Sequence, residues 1–391
     1  MKKHLLFVID TLLCGGSEKS LLSLLSVLDY SKYEVDLQLF YRGGELEALL
    51  PSQVNILPLP LFCEYELRPL FSREALKHPL FALDRIKKAV ISKLFRDKIH
   101  GSQLYWRSCK GVIPAASKAY DAAIAYSQGI PTGYVAQKVS ASKKLAWVNL
   151  NYKNHGYKKE WDLPHYNQFN SIVCVSDLNK QAFLEVFPQF EDKISRIDDM
   201  VNPEIVLKMA ELEPAPFAKD SDLVNIVTVG RLRDYKGYDI AAEACKILID
   251  RGFKLRWYVI GEGQQRAEIQ RDIVAKQLES SFMLLGSLAN PYPHLKAADI
   301  YVQTSKTEGY GIAIAEARLL NLPIVSTDFE AVHYQLRDGE NGLIGRMDGE
   351  SIADCIQLLI TQPQLAQQMI LALKAEKKGN VEEIEKFYRL I

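Results

Sequence analysis

Short apolar runs, many of them β-branched, alternate with helix-prone stretches along this chain of 391 residues, and the alternation restarts near residue 224. In the first half the strand candidates are HLLFVID (4–10), EVDLQLF (34–40), VNILPLP (54–60), DAAIAYS (121–127), KLAWVNL (144–150) and SIVCVS (171–176). In the second half they are VNIVTVG (224–230), LRWYVIG (255–261), SFMLLG (281–286), DIYVQTS (299–305), PIVST (323–327) and NGLIG (341–345). Between the first two lies EKSLLSLLSVL, apolar at helical spacing. Strands that stay apolar on both faces need helices on both faces, so each half reads as a parallel, doubly wound α/β sheet. The chain is too long for one ordinary core. The polar stretch ELEPAPFAKDSD (211–222), with two prolines and no regular period, is the best linker. Two α/β domains in tandem follow, 1–210 and 211–374, with a ligand cleft expected between them. In such sheets ligands bind outside the carboxyl ends of the strands.

Charge and cysteine usage remove several function classes. The 48 basic residues balance 48 acidic ones, so the basic excess of a nucleic-acid binder is missing and no nucleic-acid partner is expected. Six cysteines are scattered without a C-x-x-C pair, which argues against a zinc site or a disulfide framework and fits a reducing, cytoplasmic setting. The N-terminal MKKHLLFVID has a basic start and an apolar run, yet Asp10 interrupts it and Gly15-Gly16 with Glu18 follow. That pattern reads as strand, turn and helix rather than an export signal. No run of 18 apolar residues is present to span a bilayer.

The stretch TEGYGIAIAEA (307–317) carries the most specific chemistry. It joins the strand DIYVQTS to the helix-prone IAIAEARLLN, so its glycines stand at a carboxyl end. Gly309 and Gly311 let backbone amides approach a ligand, and the new helix presents unpaired N–H groups and a partial positive charge. Such a turn attracts a phosphate or diphosphate. The carboxylates of Glu308 and Glu316 would repel that anion and can only accept hydrogen bonds. Their natural partners are hydroxyl-rich groups, a ribose and a sugar, at either end of a nucleotide sugar. Acids at a helix start are also favoured by the dipole alone. A second element strengthens the ligand reading. In VGRLRDYKG (229–237), Gly230 ends a strand and Arg231 and Lys236 occupy the next turn. An arginine fork and a lysine there neutralise a diphosphate and stabilise its charge as it departs.

These elements, in this order, resemble the retaining glycosyltransferases of family 4, whose fold, GT-B, is two tandem Rossmann-like domains. The E-x-x-x-x-x-x-x-E pattern lands on Glu308 and Glu316, and the glycine-arginine and lysine-glycine pairs land on Gly230-Arg231 and Lys236-Gly237. VIGEGQQR (259–266), FMLLGSL (282–288) and GGSE (15–18) also match. The resemblance covers the whole chain, strongly over 224–345 and thinly over 60–120. It implies that Arg231 and Lys236 hold a donor diphosphate and that the amides of Gly309, Tyr310, Gly311 and Ile312 take phosphate oxygens. Glu316 would bind the ribose, Glu308 the transferred sugar, and Gly286 to Leu288 the base. Gly15 and Gly16 would leave room for the diphosphate from the other domain. It implies a nucleotide-diphosphate sugar as donor, UDP first among the nucleotides, with no cofactor and no metal. It further implies that the last helix, within 375–391, crosses back to the first domain.

One position departs from that family. Where many relatives carry a histidine after the fifth strand, this chain has Asn149 in AWVNLNYKNHG. An amide can bind a sugar hydroxyl but cannot act as a base. His155 is a substitute or a plain surface histidine, and Asp10 and Glu18 are further polar groups near that end. The segment 83–110 is basic, with eight Lys or Arg and one Asp from 85 to 110, and Ile86, Val90, Leu94 and Phe95 can share a helical face. Such a helix can lie on an anionic membrane surface or stand as an ordinary solvated helix. The family context favours the first, with a glycan, lipid-linked saccharide or lipopolysaccharide precursor as acceptor at the inner face of the plasma membrane. Rival readings are a nucleotide-sugar epimerase or phosphorylase on the same fold and, from another class, a non-catalytic sugar-nucleotide-binding or scaffold subunit.

Overall fold

The computed structural model of the chain describes residues 2–13, 15–66, 79–95, 99–153, 156–214, 217 and 223–391. It divides into two compact units. The first comprises Met1–Leu13, Ser17–Asp199 and Glu382–Ile391, and the second Cys14–Gly16 and Met200–Val381.

The first unit holds a seven-stranded sheet of β1 (Lys3–Val8), β2 (Tyr33–Gln38), β3 (Val54–Ile56), β4 (Ala119–Ala125), β5 (Ser140–Val148), β6 (Ser171–Cys174) and β7 (Ile194–Arg196). All pairs are parallel, in the order β3-β2-β1-β4-β5-β6-β7. The strands are apolar on both faces because both faces are covered; Leu5 to Val8 are fully buried. β7 was not among the sequence candidates. The strand order reverses between β1 and β4, so the crevice of this sheet opens at their carboxyl ends. In the chain β1 is followed by Gly15 and Gly16, which group with the second unit, and Gly16 opens the helix Gly16–Val27. The helix Ile384–Tyr388 belongs to this unit. Phe387 is fully buried, 5.8 Å from the Phe7 ring and 6.1 Å from that of Trp147. Tyr388 stacks on Tyr33 at 5.6 Å and its hydroxyl accepts from the Asp29 amide.

The second unit holds a six-stranded parallel sheet of β8 (Val224–Val229), β9 (Leu255–Ile260), β10 (Phe282–Gly286), β11 (Ile300–Gln303), β12 (Ile324–Thr327) and β13 (Leu343–Gly345). Their order is β10-β9-β8-β11-β12-β13, so this switch point lies between β8 and β11. The boundary read at 210/211 is corrected to 199/200. Asn202 caps the Glu204 amide and Pro203 starts the helix Pro203–Glu211 at its first turn. That helix buries Val206, Met209 and Ala210 in the second unit. Asn290 Nδ2 donates to the Met209 carbonyl and Lys296 pairs with Glu211. Proline-rich 211–222 is therefore internal to the second unit, and most of it lies outside the described residues. Likewise 375–381 stay with the second unit; only Glu382–Ile391 join the first.

Candidate active site

The turns after β8 and β11 flank the switch point of the second sheet, and the chain stitches them together. Gly237 has φ +63, and a Cβ on it would lie 2.0 Å from the Thr304 carbonyl oxygen. Only glycine permits so close an approach of two backbones in this conformation. The Lys306 amide then donates to the Tyr235 carbonyl at 2.7 Å, and Thr304 Oγ1 to the Lys236 carbonyl at 3.0 Å. The turn after β9 backs the same region: a Cβ on Gly261 would lie 2.0 Å from the Gly230 carbonyl oxygen.

This packing brings Lys236 and Glu308 into contact. Lys236 Nζ donates to Glu308 Oε1 at 2.5 Å, with the two side chains only 14% and 12% exposed. The same oxygen accepts from Ser305 Oγ at 2.6 Å and Gln303 Nε2 at 2.9 Å. Gln303 is oriented in turn by the Tyr301 hydroxyl, which donates to its Oε1. Burial first, then the Glu308 and Glu316 carboxylates, hold the Tyr301 phenol well above its ordinary range, so it stays a neutral donor. Tyr238 is raised in the same way, by burial and then by Glu308, and its hydroxyl donates to the Gly230 carbonyl. Arg231 is exposed on the turn that also carries Lys236.

Gly311, at φ +87, ends the turn and starts the helix Ile312–Leu319. Gln335 Nε2 donates to the Tyr310 and Gly311 carbonyls at 2.5 and 3.0 Å and so fixes that turn from behind. The amides at the start of the helix have no intrahelical acceptor. Glu316 lies inside the helix, 1% exposed, and accepts from the Tyr292 hydroxyl at 2.7 Å. Gly286 ends β10 at φ +82, and its carbonyl accepts from the Gly261 amide. Gly286 and Leu288 thus follow a strand two spacings, about 10 Å, from β8.

The structure thus gathers Gly230, Arg231, Lys236, Glu308 and Gly309 to Ile312 around one switch point, with Glu316 on the helix that follows. Asn149 stands elsewhere, after β5 in the first unit. Its Nδ2 donates to the Tyr126 carbonyl at 2.8 Å, while its buried Oδ1 has no partner among the described residues. His155 lies outside the described residues. Sequence reasoning missed Gln303, Ser305, Tyr292 and Gln335. Gln303 and Ser305 sit within the quoted strand, and their spacing at 303 and 305 puts both on the face of Glu308. Among the described residues no cluster of three or more His, Cys, Asp or Glu is placed to hold a metal ion.

Residues 209–375 match the family described as Glycosyl transferases group 1. A glycosyltransferase of Methanocaldococcus jannaschii, itself uncharacterised, is 26% identical over 204 residues, covering 49% of this chain and 50% of its own length. The lipopolysaccharide core biosynthesis glycosyltransferase LpsE of Rhizobium meliloti is 26% identical over 212 residues, covering 52% and 57%. The chain spans about half the length of the curated relatives it matches. Among solved structures, Anabaena HepE in complex with UDP and glucose superposes with a TM-score of 0.71 at 15% identity, over 99% of this chain and 98% of HepE. At that identity the likeness shows the fold, two Rossmann-like domains of the GT-B class.

Proposed function

We propose, from the match of residues 209–375 to the group 1 glycosyl transferases, that the chain is a retaining glycosyltransferase using a nucleotide-diphosphate sugar, with UDP as the nucleotide. The observation that carries the reading is the buried contact of Lys236 with Glu308 at the β8/β11 switch point. A diphosphate set on Arg231, Lys236 and the Gly309–Ile312 amides leaves Glu308 at one end for the sugar and Glu316 at the other for the ribose. The lysine ammonium has three donors and can serve Glu308 and a phosphate oxygen together. Gly286 and Leu288 take the base; Gly15 and Gly16, which group with the second unit, leave room for the diphosphate, and Asn149 belongs to the acceptor-side unit. UDP in the HepE complex supports that choice of nucleotide.

In the reaction the anomeric carbon–oxygen bond to the diphosphate breaks, and the acceptor hydroxyl oxygen bonds the same carbon from the same face. The hydroxyl proton passes to the departing phosphate oxygen, so no protein base is required and Asn149 is no obstacle. Arg231, Lys236 and the helix amides stabilise the departing charge, the electrostatic work a metal ion performs elsewhere.

The acceptor is a glycan or lipid-linked saccharide of cell-surface polysaccharide, lipopolysaccharide or capsule synthesis, a reading that the LpsE likeness supports. The basic segment 83–110 folds as two helices, Pro79–Phe95 and Gly101–Cys109. The second packs inward through Leu104, Trp106 and Cys109. The first leaves Leu83, Ile86, Val90 and Leu94 exposed, spaced as one helical stripe beside Lys87 and Lys93. The Phe95 side chain lies outside those described. That stripe supports peripheral contact with an anionic membrane surface. No helix among the described residues is long and apolar enough to cross a membrane. Sedimentation with anionic but not neutral vesicles is expected; equal binding to both removes the electrostatic part.

The decisive experiment screens nucleotide sugars for thermal stabilisation and then follows nucleotide release with added acceptor. Stabilisation by a UDP-sugar and acceptor-dependent release of UDP are expected. Tight donor binding without turnover supports the scaffold alternative, and absence of donor binding overturns the site.

A further inference from the structure

The first unit contains a cavity of about 50 Å3 between the helices Gly101–Cys109 and Lys159–Tyr166. Gln103, Trp106, Arg107 and Lys110 recur at helical spacing on one wall, and Trp161 and His165 face them from the other. That volume holds several waters or one tetrahedral oxyanion.

Its polar groups are poised for a ligand. The Arg107 guanidinium lies 4.2 Å from the centroid of the Trp161 ring and makes no hydrogen bond or ion pair among the described residues. The cation–π contact holds the guanidinium in place without using its N–H donors. Lys110 contributes a second cation without an acid partner among the described residues, and both cations are exposed at the mouth. His165 is 9% exposed, and its buried Nδ1 has no hydrogen-bond partner among the described residues. The nearest acid, Asp162, is 3.8 Å away through Oδ1, beyond hydrogen-bond length, and its Oδ2 accepts from the Tyr152 hydroxyl at 2.7 Å. A buried polar atom left unpaired costs about 1–3 kcal/mol unless a ligand engages it.

We propose that this cavity binds a phosphoryl group, with Arg107 gripping two of its oxygens, Lys110 adding a point charge and His165 closing the inner end. A phosphoryl group supplies three or more acceptor oxygens for these three donors, whereas a carboxylate supplies two. Its place in the first unit assigns it to the acceptor, which then carries a phosphate close to the saccharide; this step rests on the glycosyltransferase reading, the anion site itself does not.

The test uses the full chain labelled with nitrogen-15 in its seven histidines, with the His165 ring signal assigned through His165→Gln. UDP is kept saturating so that the donor turn is filled. Inorganic phosphate, glycerol 3-phosphate, and phosphatidylglycerol bicelles against phosphatidylcholine ones are titrated in turn. A saturable shift of His165 is expected, with affinity falling about tenfold or more in Arg107→Gln/Lys110→Gln, as the loss of charge-assisted bonds requires. Response to the soluble phosphates assigns the group to a glycan-borne or free phosphate, and response to phosphatidylglycerol alone assigns it to a lipid headgroup. A silent His165 with every probe, or unchanged affinity in the double variant, overturns the proposal. UDP titrations on the same samples keep the two ideas apart. UDP binding with a silent His165 sinks only this cavity, and a responsive His165 without UDP binding sinks only the donor site.

Discussion

Replacing Lys236 by methionine tests the site most directly, because one side chain touches both halves of the proposed machinery. It keeps the length of the stem and removes the charge. Its partner Glu308 is 12% exposed and pairs with it at 2.5 Å. Removing one member of a fully buried pair costs about 3–5 kcal/mol. Here Ser305 and Gln303 still donate to the same oxygen, so a loss of roughly 1–3 kcal/mol in stability is expected. The effect on turnover is larger. Lost stabilisation of leaving-group charge lowers kcat by about 10²-fold or more, roughly 2.7 kcal/mol upward. The two costs separate in a double-mutant cycle with Glu308→Gln. Urea unfolding reads stability, and UDP release under saturating acceptor reads kcat/KM. Because the groups share one hydrogen bond, their effects on kcat/KM are expected to couple by about 0.5–3 kcal/mol. A Lys236→Met enzyme within about threefold of the parent in kcat/KM refutes the assignment, as do single effects that add within about 0.3 kcal/mol.

Glu316→Ala is expected to weaken UDP binding about ten- to hundredfold, the worth of charged hydrogen bonds to two hydroxyls, and Tyr292→Phe by less; calorimetry that finds an unchanged Kd for Glu316→Ala removes the ribose assignment. Gly237→Ala forces a side chain into left-handed backbone against the Thr304 carbonyl and should cost roughly 1–3 kcal/mol for the backbone alone, with loss of UDP binding; a stable, UDP-binding variant contradicts the packing of the two turns. Asp199 is buried in the first unit, and burial, then the charges of Asp198 and Glu18, raise its carboxyl to about 7 despite the Ser20 hydrogen bond. The folded chain then holds a proton that the unfolded chain releases near pH 4, so this residue's contribution falls as pH rises from about 4 to about 7, by at most roughly 4 kcal/mol, and is flat above. Asp199→Asn should flatten that limb of the stability–pH curve; an identical slope in the variant excludes the residue as its source.

Much of this was legible because parallel strands covered on both faces must be continuously apolar. VNIVTV and LLFV announce themselves without any neighbour. β7 did not: Ile194, Ser195 and Arg196 form a short, half-buried edge strand with no hydrophobic run. The polar turn residues were readable where glycine, charge and spacing coincided, as in Gly230, Arg231, Lys236 and the two glutamates. Gln335 reaches the Tyr310 and Gly311 carbonyls from 25 and 24 positions away, and Tyr292 meets Glu316 across 24. Neither has a local pattern to betray it, since a single amide or phenol becomes a support only through the fold. The unit boundary went astray because proline-rich polarity marks loops in general. The helix Pro203–Glu211 chose its unit through Val206, Met209 and Ala210, a matter of tertiary packing.

The aromatic residues near position 387 also dictate an order of manufacture. A ribosome delivers β1 to β7 first, then all of the second sheet, and only afterwards the Phe387 that fills the space beside Phe7 and Trp147. The first sheet therefore waits, its apolar slot open, while nearly two hundred further residues are translated. Nascent chains halted anywhere between 200 and 381 should present that slot to chaperones, whereas chains that include Phe387 should not.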